Sequence, residues 1–231
     1  MSDIGAPTGV TTIAPLAGDS GVFEADPVAY IKGHACMLHP ELQDDAGAAH
    51  GSATNQTYNR ASTAVPTGVK FEQFASARLC AKLYAASNAS FMLPLIKVMR
   101  GNSGREFAFL PWKADGCTAT VLFSSADMFL TGPLTGCNVY IGEKDGFWPI
   151  VLHANSNKNA DDRVANTAAK DTDAINIATK LGYLLKYRLA RGSYQIPAFV
   201  WGTRSGSDWS FFVHEANVAD RTATNKALSP L

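Results

Sequence analysis

The sequence predicts an α/β fold of the α+β kind: a mixed, largely antiparallel central sheet or sandwich flanked by helices. Three observations predict it. Short apolar runs punctuated by proline and glycine fill the middle of the chain, and such runs have strand composition. Stretches with helical spacing stand before and after them. The resulting order is helix, several strands, one or two helices, then strands, which is not the regular βαβ series of a parallel sheet.

Each element follows from its own pattern. Residues 1–68 are loop-rich, and Asp44 to Gly68 is small, polar and aperiodic, the pattern of a loop or weakly ordered arm. "KFEQFASARLCAKLYAAS", Lys70 to Ser87, places Phe71, Phe74, Leu79 and Leu83 on one broad helical face, with Cys80 as a small core residue. "SFMLPLIKVMRG" and "REFAFLPWK" each contain a proline and read as strands, at an edge or bent there. "CTATVLF" alternates and is β-branched. "FLTGPLTGC", Phe129 to Cys137, reads as a loop feeding the strand "NVYIG". That strand and "FWPIVLHA" are joined by "GEKDG", whose Asp145-Gly146 pair is a hairpin signal. Asp161 and Asp162 favour the start of a first helix, and Asp171 to Arg191 has the spacing of a longer second one closed by Gly192. "QIPAFVWG" and "DWSFFVHEA" return to strand composition. The 231 residues read as a single domain.

Composition narrows the function. Hydrophobic residues make up 46% of the chain, ample for a packed core, and Lys+Arg equal Asp+Glu at 20 each. A nucleic-acid binder needs clustered positive charge to replace counterions on phosphates. The densest basic run is "LKYRLAR", Leu185 to Arg191, which reads as the positive end of a helix. No direct nucleic-acid partner is expected. No apolar run approaches the length a bilayer requires, so no membrane span is expected. The N-terminus lacks a basic region and is broken by glycine and proline, so a route other than general secretion is expected for any export.

The four cysteines form no CxxC pair, and neither a disulfide framework nor a zinc site is signalled. "HACMLH", His34 to His39, holds two histidines around a cysteine, but no second cluster completes a metal site. No metal is expected. Neither GxGxxG nor a P-loop occurs, and no cofactor is expected.

One constellation can carry chemistry. Cys137 enters one strand and His153 ends the next, so a hairpin places them near each other at its base. An imidazole beside a thiol takes its proton or pairs with the thiolate, and makes the sulfur reactive near neutral pH. Gly136 lets the backbone turn tightly just before the sulfur, and the Cys137 amide is a candidate oxyanion donor. A cysteine and a histidine on neighbouring strands can equally be core residues, and the pattern alone leaves both readings open. Trp112 and Trp148 either wall the cleft or are simply core. His214 reads as a core or surface residue, and His34, His39 and His50 as exposed. Asn155 and Asp145 are third-member candidates by proximity alone.

"LTGC", Leu134 to Cys137, resembles the Leu-Ser-Gly-Cys motif of the toxin deamidases, the Burkholderia lethal factor family and the catalytic domain of the cytotoxic necrotizing factors. "FAFLPWK", Phe107 to Lys113, is similar to the Leu-Pro-Trp-Lys segment of the lethal factor family, and "ADMFLTGPLTGC" to its run from an Asp-Met pair to the cysteine. Thr131 stands where that family has its active-site threonine, and His153 where it has its catalytic histidine. The ordered similarity covers Phe107 to His153. Thr135 replaces the motif serine and keeps a hydroxyl. The 16 residues from cysteine to histidine exceed the family's interval, and the tip "GEKDG" absorbs the excess.

The resemblance implies a glutamine deamidase. Cys137 would attack a glutamine carboxamide of a target protein, and His153 would protonate the departing ammonia and activate water against the thioester. Thr131 would orient the histidine or the amide, and Leu134, Thr135 and Gly136 would support the nucleophile and oxyanion. The implied partner is a protein substrate, a translation initiation helicase or a small GTPase. The protein would be made in a bacterial cytoplasm without a signal peptide and act in a host cytosol. A cysteine peptidase, a transglutaminase, or a non-catalytic interaction module on the same fold remain alternatives.

Overall fold

A computed structural model of the chain describes residues 13–15, 22–23, 25–38, 55–59, 79–86, 93–100, 108–110, 116–122, 126–155 and 163–231. In chain order the strands are β1 (Ile13–Pro15), β2 (Met37–Leu38), β3 (Asn55–Asn59), β4 (Leu79–Ala86), β5 (Leu95–Arg100), β6 (Ala108–Leu110) and β7 (Gly116–Val121). They continue with β8 (Met128–Thr131), β9 (Asn138–Glu143), β10 (Ile150–Ala154), β11 (Leu184–Leu189), β12 (Ala198–Ser205), β13 (Asp208–Asn217) and β14 (Thr222–Ala227). The helices are α1 (Pro27–Gly33) and α2 (Arg163–Leu181).

Two five-stranded sheets form the centre. One has the order β11-β9-β10-β7-β3 and the other β14-β13-β12-β8-β6. All neighbours are antiparallel except β6 and β8. Alternating side chains from both sheets fill the space between them: Val139, Ile141 and Val151 from the first, Leu110, Phe129, Val200 and Val213 from the second. Helices cover the outer faces. Ala174, Ile177 and Ala178 of α2 pack on Tyr140, Ile150 and Leu152. Tyr30 and Ile31 of α1 pack on Leu130, Phe199 and Trp201. The result is a largely antiparallel sandwich flanked by helices. A smaller sheet, β1-β4-β5-β2, adds one parallel pair between β2 and β5.

Four expectations are corrected. Leu79–Ala86, the second half of the expected helix Lys70–Ser87, is a strand between β1 and β5. Its leucines and alanines suit either state, and pairing on both sides decides for the strand. The expected helix Asp171–Arg191 stops at Leu181, and the stretch read as its basic end is strand β11. Gly182 adopts φ 76, the left-handed conformation that ends helices, and Lys144 Nζ donates to the Leu181 carbonyl at 3.1 Å. Phe129 to Thr131, expected in a loop, belong to strand β8. The loop-rich region 1–68 contains α1, and Asn55–Asn59 within the expected arm pairs with β7. Asp26 caps α1 by accepting from the Ala29 amide at 2.9 Å, ahead of a first-turn proline.

Gly182 carries a clear prediction. A Cβ there would meet only the flexible end of Lys144, at 3.3 Å, so the strain of Gly182→Ala is the backbone's own. Urea unfolding should show a loss of about 1–2 kcal/mol. An unchanged midpoint would mean that this glycine does not set the end of the helix.

Candidate active site

The β9–β10 hairpin builds the site. Lys144 to Phe147 forms its turn, closed by the Phe147 amide on the Lys144 carbonyl at 3.0 Å, with Gly146 at φ 71. From this turn the register runs back to His153 opposite Val139 and Ala154 opposite Asn138. Side chains alternate between faces. Ile150, Leu152 and Ala154 face α2, whereas Val151 enters the inter-sheet core. His153 therefore lies on the inter-sheet face, as does Cys137, two residues before Val139. Cys137 itself precedes β9, which starts at Asn138, and extending the register by one residue would set it diagonally across from His153.

The hairpin sets Cys137 and His153 on one face near its base, with neither ring nitrogen hydrogen-bonded to the sulfur. Thr131 lies in the facing sheet, on β8, also buried. Its hydroxyl donates to the Gly132 carbonyl at 2.9 Å and accepts from the Val200 amide at 3.0 Å. Its proton is committed to the backbone, so towards His153 it can act only as an acceptor. The Leu134 amide donates to the Ala198 carbonyl at 2.8 Å and is not a free oxyanion donor. Thr135 is exposed, and a backbone hydrogen bond at Thr135 meets the Cys137 sulfur. Gly136 has φ 146, and a Cβ there would meet the Arg191 guanidinium at 3.2 Å, so glycine permits this close approach. Trp148 is partly exposed beneath Arg204, Asp145 sits at the exposed hairpin tip, and Asn155 follows the end of β10. Trp112, His39 and His50 lie outside the described residues.

Three residues near the sulfur were not anticipated. Lys170 of α2 is buried, and its Nζ donates to the Gly136 carbonyl at 2.6 Å. Arg191 lies over Gly136, its amide donating to Asn138 Oδ1 at 2.8 Å. Tyr194 donates its hydroxyl to the Cys137 carbonyl at 2.8 Å. Tyr140, Asn138, Asp171 and Arg188 form a polar network that ties β9 and β11 to α2.

Burial dominates the electrostatics. The Cys137 thiol, 1% exposed, is pushed up to about 11 by desolvation; Lys170, the Thr135 backbone and Arg191 oppose this. His153 is fully buried and is lowered to about 3, first by desolvation and then by Lys170. At neutral pH the pair rests as thiol and neutral imidazole. That is the protonation state from which a base-assisted attack starts.

A second cysteine–histidine pair gives a useful contrast. His214 Nε2 accepts from the Cys36 amide at 3.3 Å and lies 3.7 Å from its sulfur. Nδ1 of the same ring meets Asn225 Oδ1 at 3.1 Å, and Asn225 donates to the Ile31 carbonyl at 3.1 Å. This imidazole is fully engaged in fastening α1 to its sheet. His34 instead stacks on Tyr30 and does not converge with Cys36 on a common centre. His153 has no such employment: both ring nitrogens are buried without a hydrogen-bond partner among the described residues. An unsatisfied buried ring costs free energy and calls for an explanation outside structural support.

No protein-family model matches the chain, and no curated protein matches it. No helix among the described residues is long and apolar enough to cross a membrane.

The depressed pKa of His153 links protonation to folding. The unfolded ring binds a proton below its ordinary value of 6.5, whereas the folded ring stays neutral down to about 3. The unfolded state then holds more protons, so this residue's contribution is whole above pH 6.5 and is lost as pH falls towards 3. The slope is at most about 1.4 kcal/mol per pH unit. Urea unfolding of His153→Leu should be less acid-sensitive than wild type across that window. Equal sensitivity would contradict a buried neutral His153.

Proposed function

We propose that this protein is a glutamine deamidase acting on a target protein, with Cys137 as nucleophile and His153 as acid and base. The observation that supports the reading is the imidazole of His153, buried without a hydrogen-bond partner among the described residues on the same face of the sheet as Cys137, which enters the paired strand. The ordered similarity to the toxin deamidases gives the reaction its class. The same similarity assigns the target to host translation initiation helicases or Rho-type GTPases, reached in the host cytosol.

The chemistry balances without a metal or cofactor. The Cys137 thiol loses its proton to His153, and the sulfur forms a bond to the carboxamide carbon of glutamine. The tetrahedral intermediate collapses as the imidazolium protonates the departing amine, which leaves as ammonia. Water, deprotonated by His153, then adds to the thioester. Its collapse returns the thiol and leaves a glutamate. The target gains a negative charge and loses two amide donors. Because Cys137 is 1% exposed, substrate must displace the cover around the exposed Thr135 turn before the sulfur can attack.

Burial of both groups favours a second reading, an interaction module that keeps the fold without the chemistry. A peptidase or a transglutaminase would use the same thioester. One experiment separates all of these. Candidate helicases and GTPases are incubated with wild type or Cys137→Ser, with and without a primary amine, and their masses are compared. The deamidase reading expects the small mass gain of amide-to-acid exchange at a glutamine, only with wild type. Amine incorporation would indicate a transglutaminase, and chain cleavage a peptidase. No change in any target would sink the reading and favour the module.

A further inference from the structure

The buried stripe of α2 contains Asn166, Lys170, Ala174, Ile177 and Ala178, spaced as one helical face packed on the sheet. A lysine in that stripe is anomalous. Its ammonium loses hydration there, and a buried charge is normally paired with an opposite one. Lys170 is 1% exposed, and among the described residues no carboxylate forms an ion pair with it. Among the described residues its hydrogen bond goes to the Gly136 carbonyl, at 2.6 Å, one residue before the candidate nucleophile. The other charged or titratable groups that interact with the sulfur are Arg191 and Tyr194 after β11 and Cys117 of β7; Asp173 of α2 acts on Cys117, and Lys170 acts also on His153 of β10. Of the groups that act on Lys170, Cys137 is the one that can supply a negative charge.

We propose that Lys170 is the positioning cation of this site, held on the Gly136 carbonyl as the counter-charge for the thiolate that forms at Cys137. The inference rests on Cys137 being the nucleophile. When the thiol ionises, its proton passes to His153, the electron pair stays on sulfur, and Lys170 keeps its own proton. The same cation acts on the imidazole with the opposite consequence. It makes the His153 imidazolium more acidic, which favours delivery of the proton to departing ammonia. The charge thereby favours the thiolate and the protonation of ammonia, and it works against His153 as the base that first takes the thiol proton.

The test reads thiol ionisation directly and needs no substrate. The full chain is labelled with 13Cβ-cysteine, and Cys137→Ser assigns the Cys137 resonance. Its pH titration is then compared in wild type, Lys170→Gln and Lys170→Arg. Glutamine keeps a donor for the Gly136 carbonyl without the charge; arginine keeps the charge. The Cys137 midpoint should rise by about one pH unit or more in Lys170→Gln, and Lys170→Arg should restore most of the shift. A folded Lys170→Gln with an unchanged midpoint would overturn the proposal and leave Lys170 as a tie between α2 and the loop. Should that variant not fold, the reciprocal measurement decides, because coupling acts equally on both partners. The Lys170 13Cε midpoint should be lower in Cys137→Ser than in wild type, and equal midpoints would overturn the proposal. These ionisation readouts are independent of glutamine turnover, so a failure of the deamidase reading remains distinct from a failure here.

Discussion

The register of the β9–β10 hairpin is the constraint on which the site depends. Side chains alternate along each strand, so a slip of one residue would turn His153 towards α2 and out of the face it shares with Cys137. Several features hold the register. Gly146 takes the positive φ that the Lys144–Phe147 turn needs. Gly142 leaves room for Ile150, whose Cγ2 would lie 2.9 Å from any added Cβ. Val139 and Val151 are drawn to the inter-sheet core while Tyr140 and Leu152 are drawn to α2, so burial on both faces penalises the slipped pairing. Turn geometry and packing together thereby fix the face on which His153 stands.

Packing and chemistry then pull in opposite directions at Cys137. The core that fixes the hairpin also strips water from the sulfur and the imidazole, and holds both neutral. Lys170 and Arg191 act against this by favouring the thiolate. Cys36 and His214 experience the same burial without that opposition. Their ring nitrogens are engaged by backbone and amide groups, and the Cys36 thiol is raised far above its ordinary range by desolvation alone. The difference between the two pairs is one of hydrogen bonding and nearby charge rather than of residue type.

Much of this was legible in the sequence where two local signals agreed. Asp145-Gly146 between alternating apolar runs marks the hairpin, and its register sets His153 opposite Val139, two residues after Cys137. Legibility fails where composition suits two states. "LCAKLYAA" has helical composition, yet its backbone is paired on both sides. "LLKYRL" reads as a helix because its apolar positions do not alternate cleanly. A register shift between Leu185 and Tyr187 sends Leu185 towards α2 and Tyr187 towards the other core, which breaks the period of two. The expected second helix begins at Asp171, whereas the buried stripe of α2 runs from Asn166 through Lys170 to Ala178, so Lys170 draws no reading of its own. Thr131 stands near the motif in sequence, but its hydrogen bonds to backbone depend on the pairing of β8 with β12, which sequence order does not reveal.

The central claim is that Cys137 is a nucleophile for a glutamine side chain, set apart from the other thiols of the same chain. The most direct measurement uses a peptide carrying 6-diazo-5-oxonorleucine in place of glutamine, which alkylates a nucleophile that accepts the glutamine side chain. Mass spectrometry of the labelled protein then maps the adduct. The account predicts a single adduct on Cys137, absent from Cys137→Ser and strongly reduced in His153→Ala. An adduct spread over Cys36, Cys80 and Cys117, or no adduct at Cys137, would contradict it.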